Sequence, residues 1–574
     1  MRAIIDPRQG DVEDDASSTK RYSLLSLAGS LLAEISLPKL ALAWVLLIGV
    51  PALILGFAPL ATTLWLSTLS SKAATVVYGA GSLVLFGLVV LAGWFGGQRL
   101  FPVAERSFWA LNALAVQPTY AAIRELLRHF VERALPASTQ AGTRAAVRAV
   151  TAALAGIVIA LPIAWLVAAL WPFTRWMAIP TDFAAPLTLI GAALANSTVA
   201  VASYFGAASL VWGIADALTS QPRTIVEFPM PTAGRPRWRI AHLSDIHIVG
   251  EPHGFRIESG RAGPKGNDRL NRVFAELEAI HAREPLDVVL VTGDITDAGR
   301  SAEWVVFLEL LAAHPEIAKR LLILPGNHDV NVVDRANPAR LDLPFSPNKY
   351  LRQARVISTL AMVQGDRVRL IDTATGRPGP TLEAALAPHR DTIAAFADTG
   401  SLRLGHKVGT LWNTLFPMVR PPDTPGGLGI ILLNSNADTH FSFTNALGLV
   451  SSEHIRAISQ ACSAWPDAQW LVGLHHHLVE YPMAAKELSE RIGTSLVNGS
   501  WVLRCLQHSL PGAVVMHGHR HIDWIGSCGP LSIVSAPSPV MNAINQAAPH
   551  FYVHTLEAGP DRLELLTPTR VEIA

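Results

Sequence analysis

Long apolar stretches dominate the first third of this 574-residue chain. Four of them reach the roughly 20 predominantly apolar residues that a helix needs to cross a bilayer. Prolines interrupt these stretches, which membrane helices tolerate better than soluble helices do. The pattern therefore predicts four transmembrane helices, approximately over residues 42–66, 74–95, 147–171 and 184–214.

The C-terminal half shows a different pattern, in which short apolar runs alternate with polar segments. Such short runs, bounded by turn-forming residues, are typical of buried β-strands. They predict strands at residues 239–243, 287–291, 321–324, 428–434, 470–474 and 513–516. Helical spacing appears around 350–362, 381–396 and 448–460, where Ser451 is a possible N-cap.

Polar clusters directly follow five of these predicted strands, and each contains His, Asp or Asn. Open α/β sheets place their functional residues at the C-terminal ends of strands, so the clusters indicate a site. Imidazole, carboxylate and carboxamide groups together suit a borderline divalent metal such as Zn, Mn, Fe or Co. The clusters are Asp-Ile-His at 245–247, Gly-Asp-Ile-Thr-Asp at 293–297, Gly-Asn-His-Asp at 326–329, His-His-His at 475–477 and Gly-His-Arg-His at 518–521.

This order of clusters resembles the calcineurin-like metallophosphoesterase superfamily, and most of all its cyclic-nucleotide-phosphodiesterase-like branch. The resemblance covers approximately residues 237–560. It implies an α/β metallophosphoesterase domain built from two facing mixed β-sheets flanked by helices. It also implies a metal-dependent phosphoesterase that uses two divalent metal ions and metal-activated water to hydrolyse a phosphoester or pyrophosphate.

The resemblance also implies a set of metal ligands. One ion would be held by Asp245, His247 and His521, and the other by Asn327, His475 and His519. Asp294 would bridge the two. The fourth cluster departs from the usual His-His-Pro, because three histidines precede Leu478. His475 is the expected ligand as the first after the strand, and His476 is the alternative.

Two further residues of the clusters are catalytic candidates. In the family, the residue that corresponds to His328 is not a ligand and contacts the phosphate or the leaving group. Asp297 would orient its imidazole as a carboxylate partner. The two residues lie in separate clusters but can meet in space, as a general base or acid and its orienting group must.

Charge and cysteine content narrow the class of protein. Charged residues make up 16% of the chain and the net charge is +1, so no nucleic acid is expected as a partner. The three cysteines, Cys462, Cys505 and Cys528, are odd in number and lack the spacing of a metal site. They are interpreted as thiols in a reducing compartment.

The distribution of lysine and arginine predicts the membrane orientation. These residues are frequent before the first predicted span, between the second and third, and after the fourth, whereas the hairpins hold only Lys72 and Arg175. The positive-inside rule then places both termini and the middle loop in the cytoplasm. The prediction is a multi-pass protein of a bacterial-type inner (plasma) membrane, with a cytoplasmic catalytic domain.

The middle loop contains an amphipathic helical segment. Apolar residues from Ile123 to Val131 follow helical spacing, and charged residues such as Arg124 and Glu125 fill the other face. Two interpretations stay open, namely a helix in the membrane interface and a helix packed on the catalytic domain.

The predicted organisation has four parts. Residues 1–39 form a cytoplasmic tail, 40–217 a membrane domain, 218–237 a Pro-rich linker, and 238–574 the phosphoesterase domain. That domain contains an insertion at about 335–425, which is too long for an ordinary loop. We interpret the insertion as a cap or specificity element, with a peripheral packing element or oligomer contact as the alternative.

The sequence therefore predicts a membrane-anchored dinuclear-metal phosphohydrolase. A phosphorylated small molecule or a lipid is the expected substrate, and the membrane is the expected partner. The alternative is a membrane sensor or scaffold whose metallophosphoesterase-like domain binds a ligand without turnover. A transporter is disfavoured, because the predicted spans contain almost no ionisable residues.

Overall fold

The computed structural model describes residues 45, 49–76, 115–136, 139–177, 186–250, 267–334, 340–342, 346–482, 493–541, 548–560 and 562–573. Its described residues form two compact units, and the chain passes from one to the other between Thr219 and Ser220. The first, the helical unit, contains the apolar stretches. The second, the phosphoesterase unit, contains all five polar clusters.

The described part of the helical unit consists of helices packed through small residues. A Cβ atom on Gly156 would lie 2.6 Å from the carbonyl oxygen of Ser209, and one on Gly213 would lie 3.1 Å from that of Ala152. Such close backbone contact between the third and fourth helices is typical of helix packing in membranes. The helices are α1 (Val50–Val76), α2 (Gln117–Ala134), α3 (Ala141–Leu170) and α4 (Pro186–Ala217).

Two helices of the described chain are long and apolar enough to cross a membrane, by length and composition. They are Gly142–Phe173 and Leu189–Ala217, which correspond to the third and fourth predicted spans. The first predicted span falls on α1, whose apolar stretch, Val50–Leu64, is shorter. Most of the second predicted span lies outside the described residues. The described residues therefore give two candidate spans where the sequence predicts four.

Helix α2, which contains the amphipathic segment, turns its charged side chains inward. Arg124 Nη1 lies 2.6 Å from Asp216 Oδ2 of α4, and Arg128 Nη1 lies 2.9 Å from Glu125 Oε1. Glu125 and Arg128 are buried, whereas the apolar Phe130 is 63% exposed. This arrangement is the reverse of that of a helix on the surface of a soluble protein.

The phosphoesterase unit is built on two mixed β-sheets. The larger has the order β1-β11-β12-β10-β9-β8-β7-β5-β6, and the smaller has the order β14-β13-β2-β3-β4 with β15 paired to β13. The sheets share one hydrophobic core, in which Leu290 of the smaller sheet and Leu471 of the larger sheet are both fully buried. The strands are β1 (Arg223–Thr224), β2 (Arg237–Leu243), β3 (Val288–Val291), β4 (Leu321–Ile323), β5 (Arg369–Ile371), β6 (Pro378–Thr381), β7 (Met418–Arg420), β8 (Leu428–Leu432), β9 (Gln469–Gly473), β10 (Val514–His517), β11 (Trp524–Cys528), β12 (Leu531–Ser535), β13 (His550–Ala558), β14 (Leu563–Leu565) and β15 (Thr569–Glu572).

Helices flank these sheets, as the sequence predicts for an α/β domain. The helix predicted at 448–460 begins at Ser452, and the Ser451 side chain accepts a hydrogen bond from the Glu453 N–H at 3.2 Å. The helix predicted at 381–396 is broken at Pro388. The helices are α5 (Asp268–Arg283), α6 (Ser301–Ala313), α7 (Pro315–Ala318), α8 (Asn327–Val330), α9 (Pro347–Gln364), α10 (Leu382–Leu386), α11 (Arg390–Thr399), α12 (Leu402–Thr414), α13 (Ser452–Cys462) and α14 (Gly499–Ser509).

The described residues of the predicted insertion form part of the domain core. Strands β5, β6 and β7 extend one edge of the larger sheet, where β7 pairs with β8. Helix α9 covers the edge of the smaller sheet, and the Ile323 N–H of β4 donates to Gln364 Oε1 at 2.7 Å. Apolar residues of this stretch, such as Ile357 and Leu360, fill the core, which favours the packing alternative for the described part. Its role as a cap or specificity element stays a prediction.

Much of the predicted linker lies on the phosphoesterase unit. Strand β1 pairs antiparallel with β11, and the Thr232 N–H donates to the buried carboxylate of Glu557. Arg237 Nε, at the start of β2, lies 2.7 Å from the same carboxylate. Strand pairing through β1 and the contacts of Thr232 and Arg237 with Glu557 thus attach this segment to the phosphoesterase unit.

Candidate metal centre

The polar clusters lie at the C-terminal ends of parallel strands in both sheets. Strands β2, β3 and β4 run parallel in the smaller sheet, and β8, β9 and β10 run parallel in the larger sheet. Because the sheets share a core, the ends of β2, β3 and β4 and those of β9 and β10 bring their clusters to one place.

Backbone strain is concentrated at the predicted ligands. The non-glycine residues with positive φ among the described residues are Asp245 (57°), His247 (47°), Asp294 (50°), His519 (75°) and His521 (50°). This region of φ costs free energy for L-residues, and it persists only where the surroundings fix it. All five are predicted metal ligands, so the fold stores strain where the side chains must converge.

One ligand group contains Asp245, His247 and His521, whose candidate ligand atoms all lie within 4.8 Å of one another. His521 Nε2 lies 3.3 Å from Asp245 Oδ1 and 3.3 Å from His247 Nε2. These are the residues that the sequence predicts for one ion. Burial opposes ionisation of Asp245, but His521 outweighs it and lowers the carboxyl pKa.

A second ligand group contains Asp294, His475 and His519. His475 Nε2 lies 3.1 Å from His519 Nδ1 and 3.1 Å from Asn327 Oδ1. The structure therefore brings together all the residues predicted for the other ion. Burial alone would lower the pKa of His475, but the adjacent Asp294 raises it to about 9. A cation that binds here must displace that proton.

Asp294 lies between the two groups. Its Oδ2 atom is 3.6 Å from His247 Nε2 in one group and 3.4 Å from His475 Nε2 in the other. Its Oδ1 atom accepts a hydrogen bond from the His328 N–H at 2.9 Å. One carboxylate oxygen thus faces both groups, which is the position that a bridging ligand requires.

Hydrogen bonds fix which imidazole nitrogens face the centre. His475 Nδ1 donates to the Thr292 carbonyl at 2.8 Å, and His519 Nε2 donates to the Thr494 carbonyl at 3.1 Å. In the neutral form of each ring, the opposite nitrogen therefore carries the lone pair that faces the ligand group, as in metal sites whose outer contacts set the tautomer. Carboxylate, imidazole and amide donors converging in this way fit two borderline divalent cations.

The contacts of the three consecutive histidines favour His475 over His476 as the ligand. His476 belongs to neither ligand group, and its Nδ1 lies 2.9 Å from Ser435 Oγ. Burial drives its pKa well below the ordinary value, so it is a neutral ring packed against His519. His477 Nε2 lies 3.2 Å from Glu480 Oε1.

The contact between Asp297 and His328 differs from the one expected. His328 Nδ1 donates to the main-chain carbonyl of Asp297 at 2.6 Å. The carboxylate of Asp297 lies close to a predicted ligand, with Oδ1 3.5 Å from His247 Nδ1. That carboxylate also lies within 4.8 Å of a ring nitrogen of His328. The main-chain carbonyl is thus the hydrogen-bond partner of His328 Nδ1, and orientation of His328 by the carboxylate stays a prediction.

Several supporting residues escaped the sequence analysis. Asp329 accepts hydrogen bonds from the loop that carries Asp294 and from the loop that carries Asn327. Its place in the Gly-Asn-His-Asp cluster is the sequence feature that could have indicated this role. Ser538 Oγ donates to the Asp245 carbonyl at 2.8 Å. Neither Ser538 nor Thr494 carries a sequence signal, because each is far along the chain from the group that it contacts.

Comparisons with known proteins point to one family. The profile of the calcineurin-like phosphoesterases matches residues 239–399. The glycerophosphodiester phosphodiesterase GpdQ of Enterobacter lignolyticus is 35% identical over 94 residues, which are 16% of this chain and 29% of that protein. The chain thus spans less than a third of that curated relative.

Two solved structures are similar to part of this chain at low TM-scores. A dimetal phosphatase from Danio rerio shares 11% identity at a TM-score of 0.33, over 59% of this chain and 99% of that one. A putative 5'-nucleotidase from Staphylococcus aureus shares 14% identity at a TM-score of 0.28, over 59% and 54% of the two chains. With the profile match and the five clusters in order, residues 239–399 of this chain form a calcineurin-like phosphoesterase domain, the domain of a superfamily of metal-dependent phosphoesterases.

Proposed function

We propose that this chain is a membrane-anchored dinuclear-metal phosphohydrolase that cleaves a phosphoester or pyrophosphate. The observation that carries the proposal is the position of Asp294, whose Oδ2 atom lies 3.6 Å from His247 Nε2 and 3.4 Å from His475 Nε2. A carboxylate shared by two converging donor groups is the arrangement that holds a pair of cations for in-line displacement at phosphorus.

The charge of the ligand set supports a phosphorylated substrate. Asp245 and Asp294 are the carboxylates of the proposed set, and the other donors, such as Asn327 and the imidazoles, are neutral when they act as ligands. When bound, two divalent cations lower the pKa of a water molecule and offset the negative charge of a phosphoryl group. Against four cationic charges, two carboxylates leave about two positive charges facing the substrate.

His328 supplies a group for proton transfer. Because its Nδ1–H donates to the Asp297 carbonyl, its Nε2 is the nitrogen that can exchange a proton with substrate. The side chain is buried, and its ring packs edge-on against His247 at 4.5 Å between centroids. It is therefore fixed beside the proposed ligands without belonging to the set, as a general acid for the leaving oxygen must be.

The described helices support a membrane anchor. Large apolar side chains project from α3 and α4, among them Leu161 (66% exposed), Trp165 (73%) and Val211 (65%). In water these would form a large apolar surface, whereas lipid covers it at no cost. The bias of lysine and arginine favours a catalytic domain on the cytoplasmic side of a bacterial-type inner membrane.

The anchor favours a substrate that is at or near the membrane. A phospholipid or a lipid-linked pyrophosphate fits the tethered site, and a soluble phosphorylated molecule is the other candidate. The name of the curated relative adds glycerophosphodiesters to the substrates worth testing.

Assay of the full chain in detergent tests the proposal. Metal-free protein should take up two Mn²⁺ per chain and then hydrolyse at least one compound among phosphomonoesters, glycerophosphodiesters, other phosphodiesters and lipid pyrophosphates. Asp342→Asn is a matched control, because Asp342 is a buried carboxylate that pairs with Arg352, outside both ligand groups. It should leave the uptake of two ions intact. Uptake of two ions with no turnover of any compound would favour the sensor or scaffold instead.

A further inference from the structure

The loops that follow β3 and β4 are linked by the carboxylate of Asp329. Oδ1 accepts hydrogen bonds from Thr296 N–H at 2.8 Å and from Thr296 Oγ1 at 2.6 Å. Oδ2 accepts from Ile295 N–H at 3.2 Å and from Gly326 N–H at 2.8 Å. Asp329 is fully buried, so these four donors replace water around its carboxylate. Three of the four lie within two residues of Asp294.

The linkage is reciprocal. Asp329 holds the backbone that follows Asp294, while the His328 N–H donates to Asp294 Oδ1 at 2.9 Å. The two loops approach so closely that a Cβ atom on Gly326 would lie 2.1 Å from both the amide nitrogen and Oδ1 of Asp294. Because Asp294 has a φ of 50°, its backbone persists only under such external constraint.

We propose that Asp329 is a positioning residue, which fixes the backbone and carboxylate of Asp294 so that one oxygen faces both ligand groups. The inference rests on the proposed function, since it takes Asp294 to be the bridge between two ions. Asp329 itself belongs to neither ligand group. It acts on the ions through the loop of Asp294, as outer contacts act on ligands in other metal sites.

The chemistry of the carboxylate makes the proposal testable by an isosteric change. Asp329→Asn keeps the shape but replaces one acceptor oxygen with an NH₂ donor. Whichever way the amide turns, the NH₂ meets at least one backbone N–H that the carboxylate accepted. The loop after β3 should then loosen, although the volume of the core is unchanged.

Thr296 provides a second test by a graded pair of variants. Thr296→Val removes the hydroxyl that donates to Asp329 Oδ1 and accepts from the Gly299 N–H at 3.1 Å. Thr296→Ser retains that hydroxyl. If Asp329→Asn fails to fold, this milder pair still tests the linkage between the two loops.

The experiment measures hydrogen exchange of metal-free protein and Mn²⁺ binding for each variant. In Asp329→Asn, the amides of Ile295 and Thr296 should exchange faster, and Mn²⁺ affinity should fall by about 10- to 100-fold. Thr296→Val should show the same two changes more weakly. Thr296→Ser should match the wild type in both hydrogen exchange and Mn²⁺ affinity. Glu557→Gln is the control, because this buried carboxylate pairs with Arg237 and Thr232 and belongs to neither ligand group. It should lower the melting temperature without changing either readout.

Two results would overturn the proposal. One is wild-type Mn²⁺ affinity in a folded Asp329→Asn or Thr296→Val protein. The other is an equal loss of Mn²⁺ affinity in Glu557→Gln, which would make the effect one of general stability. A wild-type chain that binds no Mn²⁺ would refute the dinuclear site itself, and hydrogen exchange of the metal-free variants would still decide whether Asp329 holds this loop.

Discussion

Replacement of His328 tests how the proposed site treats its leaving group. Its Nδ1–H is held by the Asp297 carbonyl at 2.6 Å, so proton donation to a leaving oxygen would use Nε2. His328→Ala removes that donor and none of the proposed ligands. A poor leaving group such as an alkoxide needs the proton in the transition state, whereas an activated nitrophenolate needs it much less.

The expected magnitude follows from that role. General acid catalysis contributes about 10²- to 10⁴-fold in rate, which corresponds to roughly 3 to 5 kcal/mol of barrier. His328→Ala should therefore slow the hydrolysis of alkyl esters by a factor in this range and that of nitrophenyl esters by far less. Mn²⁺ content should not change, because His328 lies outside the proposed ligand set.

Asp297→Asn provides the matched comparison. The variant keeps the main-chain carbonyl that orients His328, so the ratio of alkyl to nitrophenyl rates should match that of the wild type. Its carboxylate lies 3.5 Å from His247 Nδ1, so any loss should appear as weaker Mn²⁺ binding. That loss should be at most about 10- to 100-fold.

The assay compares kcat/KM for one alkyl and one nitrophenyl ester of the same phosphoryl group, with Mn²⁺ measured in each preparation. Equal losses on both esters in His328→Ala would refute the acid role and point to phosphate binding. Lost Mn²⁺ would make His328 a ligand. A changed leaving-group ratio in Asp297→Asn would show that its carboxylate, and not its carbonyl, orients the imidazole.

Three further predictions follow from the structure. Asp294→Asn should abolish stoichiometric binding of two Mn²⁺, because it removes the carboxylate oxygen that faces both groups, and retained binding with wild-type activity would exclude a bridge. Burial, together with Asp297, raises the pKa of Glu303 from 4.5 to about 8, so the folded chain keeps a proton that the unfolded chain releases. The free energy of unfolding should therefore fall as pH rises from about 4.5 to 8, and Glu303→Gln should flatten this fall by up to a few kcal/mol in denaturant titrations. Accessibility tags at the C-terminus and near residue 128 should report the cytoplasm and a tag near Arg175 the far side, and the opposite result would overturn the orientation.

The sequence alone determined the architecture of the phosphoesterase unit and the residue types of its site. Predicted strands such as 239–243 and 470–474 agree with β2 and β9 to within about two residues. A short apolar run bounded by turn-forming residues is typical of a buried strand, so its position can be predicted from the sequence. The ligand candidates followed from chemistry that only His, Asp and Asn supply. The two helices α3 and α4 were evident from length and apolar composition.

The tertiary structure decided how these residues are used. The described part of 335–425 contributes to the core because its strands extend a sheet edge, and edge pairing depends on strands distant along the chain. The direction of the Asp297 carboxylate depends on a loop conformation that residue spacing does not fix. The positive φ of Asp294 and the hydrogen bonds from its loop to Asp329 depend on the contact between the loops after β3 and β4, which forms only in the folded domain. Sequence thus set which groups were present, and long-range packing set which atoms face one another.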